Sequence, residues 1–287
     1  MSVLKHFFWI SRPLNVFITG LAFCLACFIA KDRSISFLGD LEFWVALACM
    51  VGVTATGYWV NDAFDFKIDR VNKPRRVIVN AHLSVKRVLT TYFTTVALLM
   101  LFSFLTQPVS LTAINFAVAL LLFAYAALLK RTTIVGNVLV ASLTALVIYY
   151  AAVLYVPKAA LFWAMLFAFE VNFIREVVKD IEDIEGDLRF KLQTLPIRAG
   201  IKGTKGVLWG AYCLFILSGP APFVEEYLRI GYLNWWYLGA ALLLVVAPAL
   251  WLLRHMAEAS EKADWALQSR YLKWLIFAGM ATLLLLR

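Results

Sequence analysis

Charge is scarce in this chain: only 16% of its 287 residues are Asp, Glu, Lys or Arg, where a soluble domain carries about 25%. Hydrophobic residues make up 63% of it, and the mean hydropathy is +0.80. Together these values exclude an ordinary water-soluble fold. Histidine is rarer still. His6, His82 and His255 are scattered without ligand spacing, which argues against a histidine metal site and reads as surface placement. The four cysteines are Cys24, Cys27, Cys49 and Cys213. Cys24 and Cys27 form a C-x-x-C, but inside an apolar run and without a second pair, so they read as small apolar fillers. A cleavable leader is not expected, because MSVLKHFFWISRPLN runs into a full-length apolar segment with no small-residue cleavage site.

What the chain has in quantity is long uncharged sequence. Stretches of roughly 18 to 22 residues match the ~30 Å of a bilayer core. The expected fold class is all-α and polytopic, with nine transmembrane helices at about 14–30, 42–60, 88–106, 110–129, 135–156, 159–178, 205–220, 234–253 and 270–286. Gly219, Pro220 and Pro222 cut the seventh short. A net charge of +9 would suit nucleic acid in a soluble protein, but here its distribution follows the membrane. With the N-terminus inside, 22 of the 27 Lys and Arg residues fall in cytoplasmic segments, as the positive-inside rule requires. The N-terminus and the charged loops are therefore expected in the cytoplasm and the C-terminus outside. The membrane is the cell membrane if the source is prokaryotic.

Against this apolar background, two aspartate triplets stand out. Asp62, Asp65 and Asp69 lie in NDAFDFKIDR; Asp180, Asp183 and Asp187 lie in KDIEDIEGDL. Each runs i, i+3, i+7, so on a helix its three carboxylates share one face. Six like charges at the cytoplasmic ends of the second and sixth spans repel one another and the helix dipoles. Two Mg²⁺ ions would offset them, and Mg²⁺ commonly binds one or two carboxylates together with substrate phosphates. Asn61 adds a neutral oxygen donor beside Asp62. Lys73, Arg75, Lys130, Arg131, Lys179, Arg189 and Lys191 flank the motifs and suit a departing diphosphate. For Lys67, Arg70, Arg76 and Lys86 a solvated surface is the better account. Glu170, deeper in the sixth span, is either a functional carboxylate or the partner of a polar neighbour.

These stretches resemble the UbiA superfamily of intramembrane prenyltransferases. NDAFDFKIDRVNKPRR is similar to its first signature, N-D-x-x-D-x-x-x-D followed by N-K-P-x-R. REVVKDIEDIEGDLRFKLQTLP is similar to its second, D-x-x-D-x-x-G-D with a later T-L-P. YAALLKRTTIVGNVLVA at 125–141 and SRPLN at 11–15 match two further stretches. Two departures stand out. The family's Pro-Ile-Pro-Ser-Gly turn is replaced by Val77, Ile78, Val79, Asn80 and Ala81, which predicts a less turn-like loop. Phe190 replaces a glycine before Lys191.

The resemblance implies one prenyltransferase domain over 1–287: a first half of about 1–130, a second of about 131–255, and a ninth helix, around a central cavity. It implies that Asn61, Asp62, Asp65, Asp69, Asp180, Asp183 and Asp187 bind Mg²⁺, with Asp65, Asp69, Asp183 and Asp187 at the centre of catalysis. Asn15, Lys73, Arg75, Tyr125, Lys130, Lys179 and Lys191 are the implied substrate contacts. The partners implied are an isoprenyl diphosphate, a lipophilic acceptor and the bilayer, with no nucleic acid and no obligatory protein partner. The wording D-I-E-D-I-E-G-D and R-P-x-N is nearest to members that geranylgeranylate a prenylated glycerol phosphate in lipid biosynthesis. Aromatic-ring prenylation for quinones is the alternative. A transporter or a noncatalytic prenyl-lipid-binding protein represents a different class.

Overall fold

A computed structural model describes residues 2–286. The backbone forms α1 (Val3–Ile10), α2 (Pro13–Ala30), α3 (Leu41–Asn72), α4 (Val85–Thr106), α5 (Val109–Ala127) and α6 (Val135–Leu154). There follow α7 (Ala159–Glu182), α8 (Ile184–Arg189), α9 (Leu195–Ser218), α10 (Ala221–Ile230), α11 (Trp235–Ala241), α12 (Ala247–Glu258) and α13 (Lys262–Leu283). A π-helical turn, Leu242–Val246, joins α11 to α12. Among the described residues there is no strand, only a bridge between Val79 and Leu83. Helix is the expected answer to this composition, because a helix satisfies its own backbone hydrogen bonds in lipid.

Among the described residues, seven helices are long and apolar enough to cross a membrane: α2, α3, α4, α5, α6, α9 running on through α10, and α11 running on through α12. The helices expected over 159–178 and 270–286 also form, as α7 and α13. They stand apart from those seven because α7 carries Glu170, Arg175 and Glu176, and α13 carries Arg270 and Lys273. The helix expected at 42–60 extends to Asn72 and has 32 residues. At about 1.5 Å per residue it spans roughly 48 Å, some 18 Å more than a bilayer core. The excess is about twelve residues, the length of the stretch that begins at Asn61.

Two compact units are resolved. The first comprises Met1–Thr132, Tyr149–Pro157 and Glu185–Leu192. Within it α3 packs on α2, α4 and α5. In lipid the drive for such contact is close packing rather than hydrophobic burial, and the rings of Phe23 and Phe43 stack 5.6 Å apart accordingly. Asn115, on α5, donates to Ser103, Gln107 and Tyr150, tying the α4–α5 hairpin to the end of α6. At the start of α3, Asp40 accepts from Lys31 and from the Tyr155 hydroxyl, at 3.1 and 3.0 Å.

The loop after α3 corrects one expectation. Residues 77–83 do turn tightly: the Asn80 N–H donates to Leu83 O at 2.7 Å, and Asn80 itself sits at φ 60°. Asparagine tolerates the left-handed region nearly as readily as glycine, so neither proline nor glycine is required. The turn sinks Val79 and Leu83 into an apolar cluster with Phe7, Ile10, Ala63 and Val88. One histidine needs correcting as well. His6, on α1, is buried and stacks on the exposed His82 at 5.0 Å, a contact hidden by a separation of 76 positions in the chain.

The second unit comprises Thr133–Ile148, Lys158–Ile184 and Gln193–Arg287. Within it α7 packs against α9 and α13. Glu170, on α7, accepts from the Ser218 hydroxyl at 2.7 Å, so its polar-neighbour reading holds. Gly200 interrupts the first turns of α9 at φ 68°, ψ 169°, a conformation closed to side chains with a Cβ.

Candidate active site

The first triplet forms as its spacing predicts. Asp62, Asp65 and Asp69 occupy the last three turns of one continuous helix, α3. Two cations from other parts of the first unit meet them. Arg12 donates through Nη2 to Asp62 Oδ1 at 2.8 Å, and its guanidinium also lies 4.8 Å from the Tyr58 ring centre. Lys130 pairs with Asp65, whose side chain is only 4% exposed. Lys130 comes from the short 3-10 turn Leu129–Arg131 that follows α5. Burial opposes its charge, but Asp65, Tyr125 and Asp69 together outweigh burial, so the ammonium is held above the ordinary lysine pKa. Tyr125 thus stands in the field of Lys130, on the last turns of α5.

The second triplet does not lie on one helix. α7 ends at Glu182, Asp183 is its C-cap, and Asp187 belongs to the separate helix α8. The break has a physical reason. Asp180, Glu182, Asp183 and Glu185 crowd the negative end of the α7 dipole, where carboxylates are disfavoured. In the second unit, Asp180 accepts from Asn137 Nδ2 at 2.8 Å, and the Asp183 N–H donates to Lys179 O at 2.9 Å. Lys179 binds both carboxylate oxygens of Glu176 at 2.9 Å.

Asp187 belongs to the first unit and is 4% exposed. Its position follows from a contact that the aspartate pattern did not signal. The N–H of Gly186 donates to Asn72 Oδ1, at the last residue of α3, over 2.8 Å. A Cβ on Gly186 would lie 2.5 Å from the Asn72 side chain, so no other residue fits without displacement. Asn72 therefore fastens the tail of the second motif to the helix carrying the first. The only trace of it in sequence is the N-K-P that follows the first triplet. Arg12 and Asn137 were likewise visible only as members of the SRPLN and Gly-Asn stretches.

The remaining predicted residues are spread around these contacts. Asn61 is half-buried on α3, and Asn15 is half-buried in the first turn of α2. Lys73 caps α3, while Arg75 is exposed in the following turn. Lys191 is exposed after α8 with φ 57°. Among the described residues no three His, Cys, Asp or Glu side chains converge on a metal position by themselves. The donors are nevertheless all hard oxygens, from carboxylates and amides. That set fits an ion which takes few protein ligands and completes its shell with water and phosphate oxygens.

Comparison with known proteins agrees with this chemistry. The model of the UbiA prenyltransferase family matches residues 16–277. A digeranylgeranylglyceryl phosphate synthase of Methanoregula boonei is 35% identical over 231 residues, covering 77% of each chain. One from Pyrococcus abyssi is 39% identical over 203 residues, covering 68% of this chain and 69% of its own. A solved structure of a digeranylgeranylglyceryl phosphate synthase superposes with TM-score 0.72 at 23% identity, over 99% of both chains. A UbiA homolog from Archaeoglobus fulgidus bound to GPP and Mg²⁺ gives TM-score 0.66 at 14% identity, over 97% of this chain and 99% of its own. At those identities the two structures speak for the fold alone. By the extent of the family match and the identity to its curated relatives, the chain belongs to the UbiA prenyltransferase family and is a multi-pass membrane prenyltransferase.

Proposed function

We propose that the protein transfers a geranylgeranyl group from its diphosphate to the free hydroxyl of a prenylated glycerol phosphate, with Mg²⁺ bound by both aspartate motifs. The names of the relatives support the acceptor class. The observation that carries the site is the Asn72–Gly186 hydrogen bond, which holds Asp187 at the end of the helix bearing Asp62, Asp65 and Asp69.

Asn61, Asp62, Asp65 and Asp69, together with Asp180, Asp183 and Asp187, would hold two Mg²⁺ ions. Bound there, the ions would neutralise the diphosphate and make it a better leaving group. Lys130 contributes a charge that stays on at any physiological pH, and Lys73, Arg75 and Lys191 add cations around the same motifs. In the reaction the donor's C1–O bond breaks and its electron pair leaves with diphosphate. The acceptor oxygen forms the new C–O bond and gives up its proton. Such an allylic centre requires water to be excluded, which a site at the end of membrane helices provides. Tyr125 and Asn15 are assigned to substrate positioning. Nine spans, two four-helix halves around a cavity, a cytoplasmic N-terminus and an external C-terminus complete the proposal.

The test is a mixed acceptor panel read by mass spectrometry. With geranylgeranyl diphosphate and Mg²⁺, the expected product is the diether of geranylgeranylglyceryl phosphate. A prenylated aromatic acid as the sole product would replace the lipid reading with the quinone one.

A further inference from the structure

We infer that Arg12 and Lys130 are built-in counter-ions of the first aspartate motif, which exclude free Mg²⁺ and give way only when the ion arrives together with diphosphate. The inference rests on the reading of this motif as a Mg²⁺–diphosphate site and deepens it.

Two of the motif's three carboxylates already face a cation of the protein itself. Arg12 Nη2 lies 2.8 Å from Asp62 Oδ1, and Lys130 pairs with Asp65. Both pairs are sheltered, since the aspartate side chains are 17% and 4% exposed. Among the described residues, neither carboxylate and neither cation makes a further ion pair or side-chain hydrogen bond.

The Arg12 pair is also held by its surroundings. Arg12 sits at φ 51°, ψ 66°, in the left-handed region, which a residue with a Cβ adopts only at a cost. Such strain persists where neighbouring contacts over-determine it. Those contacts come from α3: Trp59 Nε1 donates to the Ser11 hydroxyl at 2.7 Å, and the guanidinium lies over the Tyr58 ring. Lys130 comes from a different segment, the turn after α5. Two separate parts of the first unit thus deliver one cation each to the same helix end.

The consequence is a competition. Mg²⁺ gives up its water reluctantly and needs carboxylate oxygens in exchange. Arriving alone, it must also break a sheltered ion pair and leave a guanidinium or an ammonium without its anion, which is costly away from bulk water. Neither cation can yield by losing a proton: arginine stays protonated in proteins, and Lys130 is held above the ordinary lysine pKa. Arriving with diphosphate, the ion brings anionic oxygens to meet the displaced cations. Each carboxylate then passes from a side chain to the metal, and each cation from a carboxylate to the anion. Metal and donor binding become mutually dependent, by the same factor in either direction.

The experiment measures binding without turnover. Full-length wild type, Arg12→Gln, Lys130→Met and Lys130→Arg are compared in lipid nanodiscs. Mn²⁺, which takes the same oxygen ligands, is titrated in alone, and the free ion is read by electron paramagnetic resonance. The Kd of geranylgeranyl diphosphate is then measured by tryptophan fluorescence without acceptor, in Mg²⁺ and in EDTA. In wild type, Mg²⁺ should lower the donor Kd by at least about a hundredfold. Arg12→Gln and Lys130→Met should each bind Mn²⁺ alone at least about tenfold more tightly than wild type. The effect of Mg²⁺ on their donor Kd should shrink accordingly. Asp65→Asn, added to either variant, should abolish the gain and so assign it to this motif. Lys130→Arg keeps the cation and should stay close to wild type. Either neutral variant supplies the reading if the other does not fold. Unchanged or weaker Mn²⁺ binding in the neutral variants would overturn the inference. A wild type that binds no Mn²⁺, and whose donor Kd ignores Mg²⁺, would remove the metal reading of the motif itself and this inference with it.

Discussion

At the scale of single residues, the candidate site is assembled by contacts from outside the aspartate triplets as well as by the carboxylates themselves. Asn72 and Gly186 are 114 positions apart, and one hydrogen bond joins them. Gly186→Ala places a methyl carbon 2.5 Å from the Asn72 side chain. We expect it to lower stability by about 1–3 kcal/mol, as overpacking does, and to reduce turnover at least tenfold. Thermal unfolding in detergent and an initial-rate assay check both. Wild-type turnover in that variant would show that the contact does not matter to catalysis. The aspartates were legible in sequence because a repeated i, i+3, i+7 spacing is a strong local pattern. Asn72, Arg12 and Asn137 carry no such spacing, and their partners Gly186, Asp62 and Asp180 are distant in the chain. The same holds for His6, which looked like a surface residue until the fold buried it against His82. Local pattern reports which groups share a helix face; it does not report which distant group meets that face.

At the scale of elements, hydropathy located the helices well and their ends less well. The expected span at 42–60 covers only the membrane part of α3, because lipid length stops at Asn61 while the helix does not. The second triplet failed in the opposite direction. A regular spacing suggested one helix, yet crowded carboxylates at the α7 C-terminus end it at Glu182 and start α8. Loop 77–83 turned tightly through Asn80 where proline and glycine were missing. At the opposite end of α3 from the aspartates, Asp40 binds the end of α2 through Lys31 and the segment after α6 through Tyr155. The hydrogen bond from Lys31, then that from Tyr155, holds the Asp40 carboxyl below its ordinary pKa. A depressed pKa in the folded state gives stability above the unfolded value of about 3.9 and loses it as pH falls through the folded one. Asp40→Asn should therefore lower the Tm by a constant amount between about pH 5 and 8, with the deficit shrinking below about pH 4. A deficit unchanged down to about pH 2 would mean that the charge of Asp40 is not what binds these ends.

At the scale of the whole molecule, family, composition and site chemistry converge on prenyl transfer within a membrane. The family match over residues 16–277 accounts for the helical architecture, and the relatives are named as synthases of digeranylgeranylglyceryl phosphate. The central claim concerns what the two aspartate motifs do together. It is tested most directly by diphosphate release from geranylgeranyl diphosphate and geranylgeranylglyceryl phosphate, with and without Mg²⁺. The proteins compared are wild type, Asp65→Asn and Asp183→Asn, all confirmed folded by their melting curves. The account predicts that EDTA abolishes release by wild type, that added Mg²⁺ restores it, and that either substitution lowers it by at least about a hundredfold. Substantial release in EDTA, or near wild-type turnover in both variants, would contradict it.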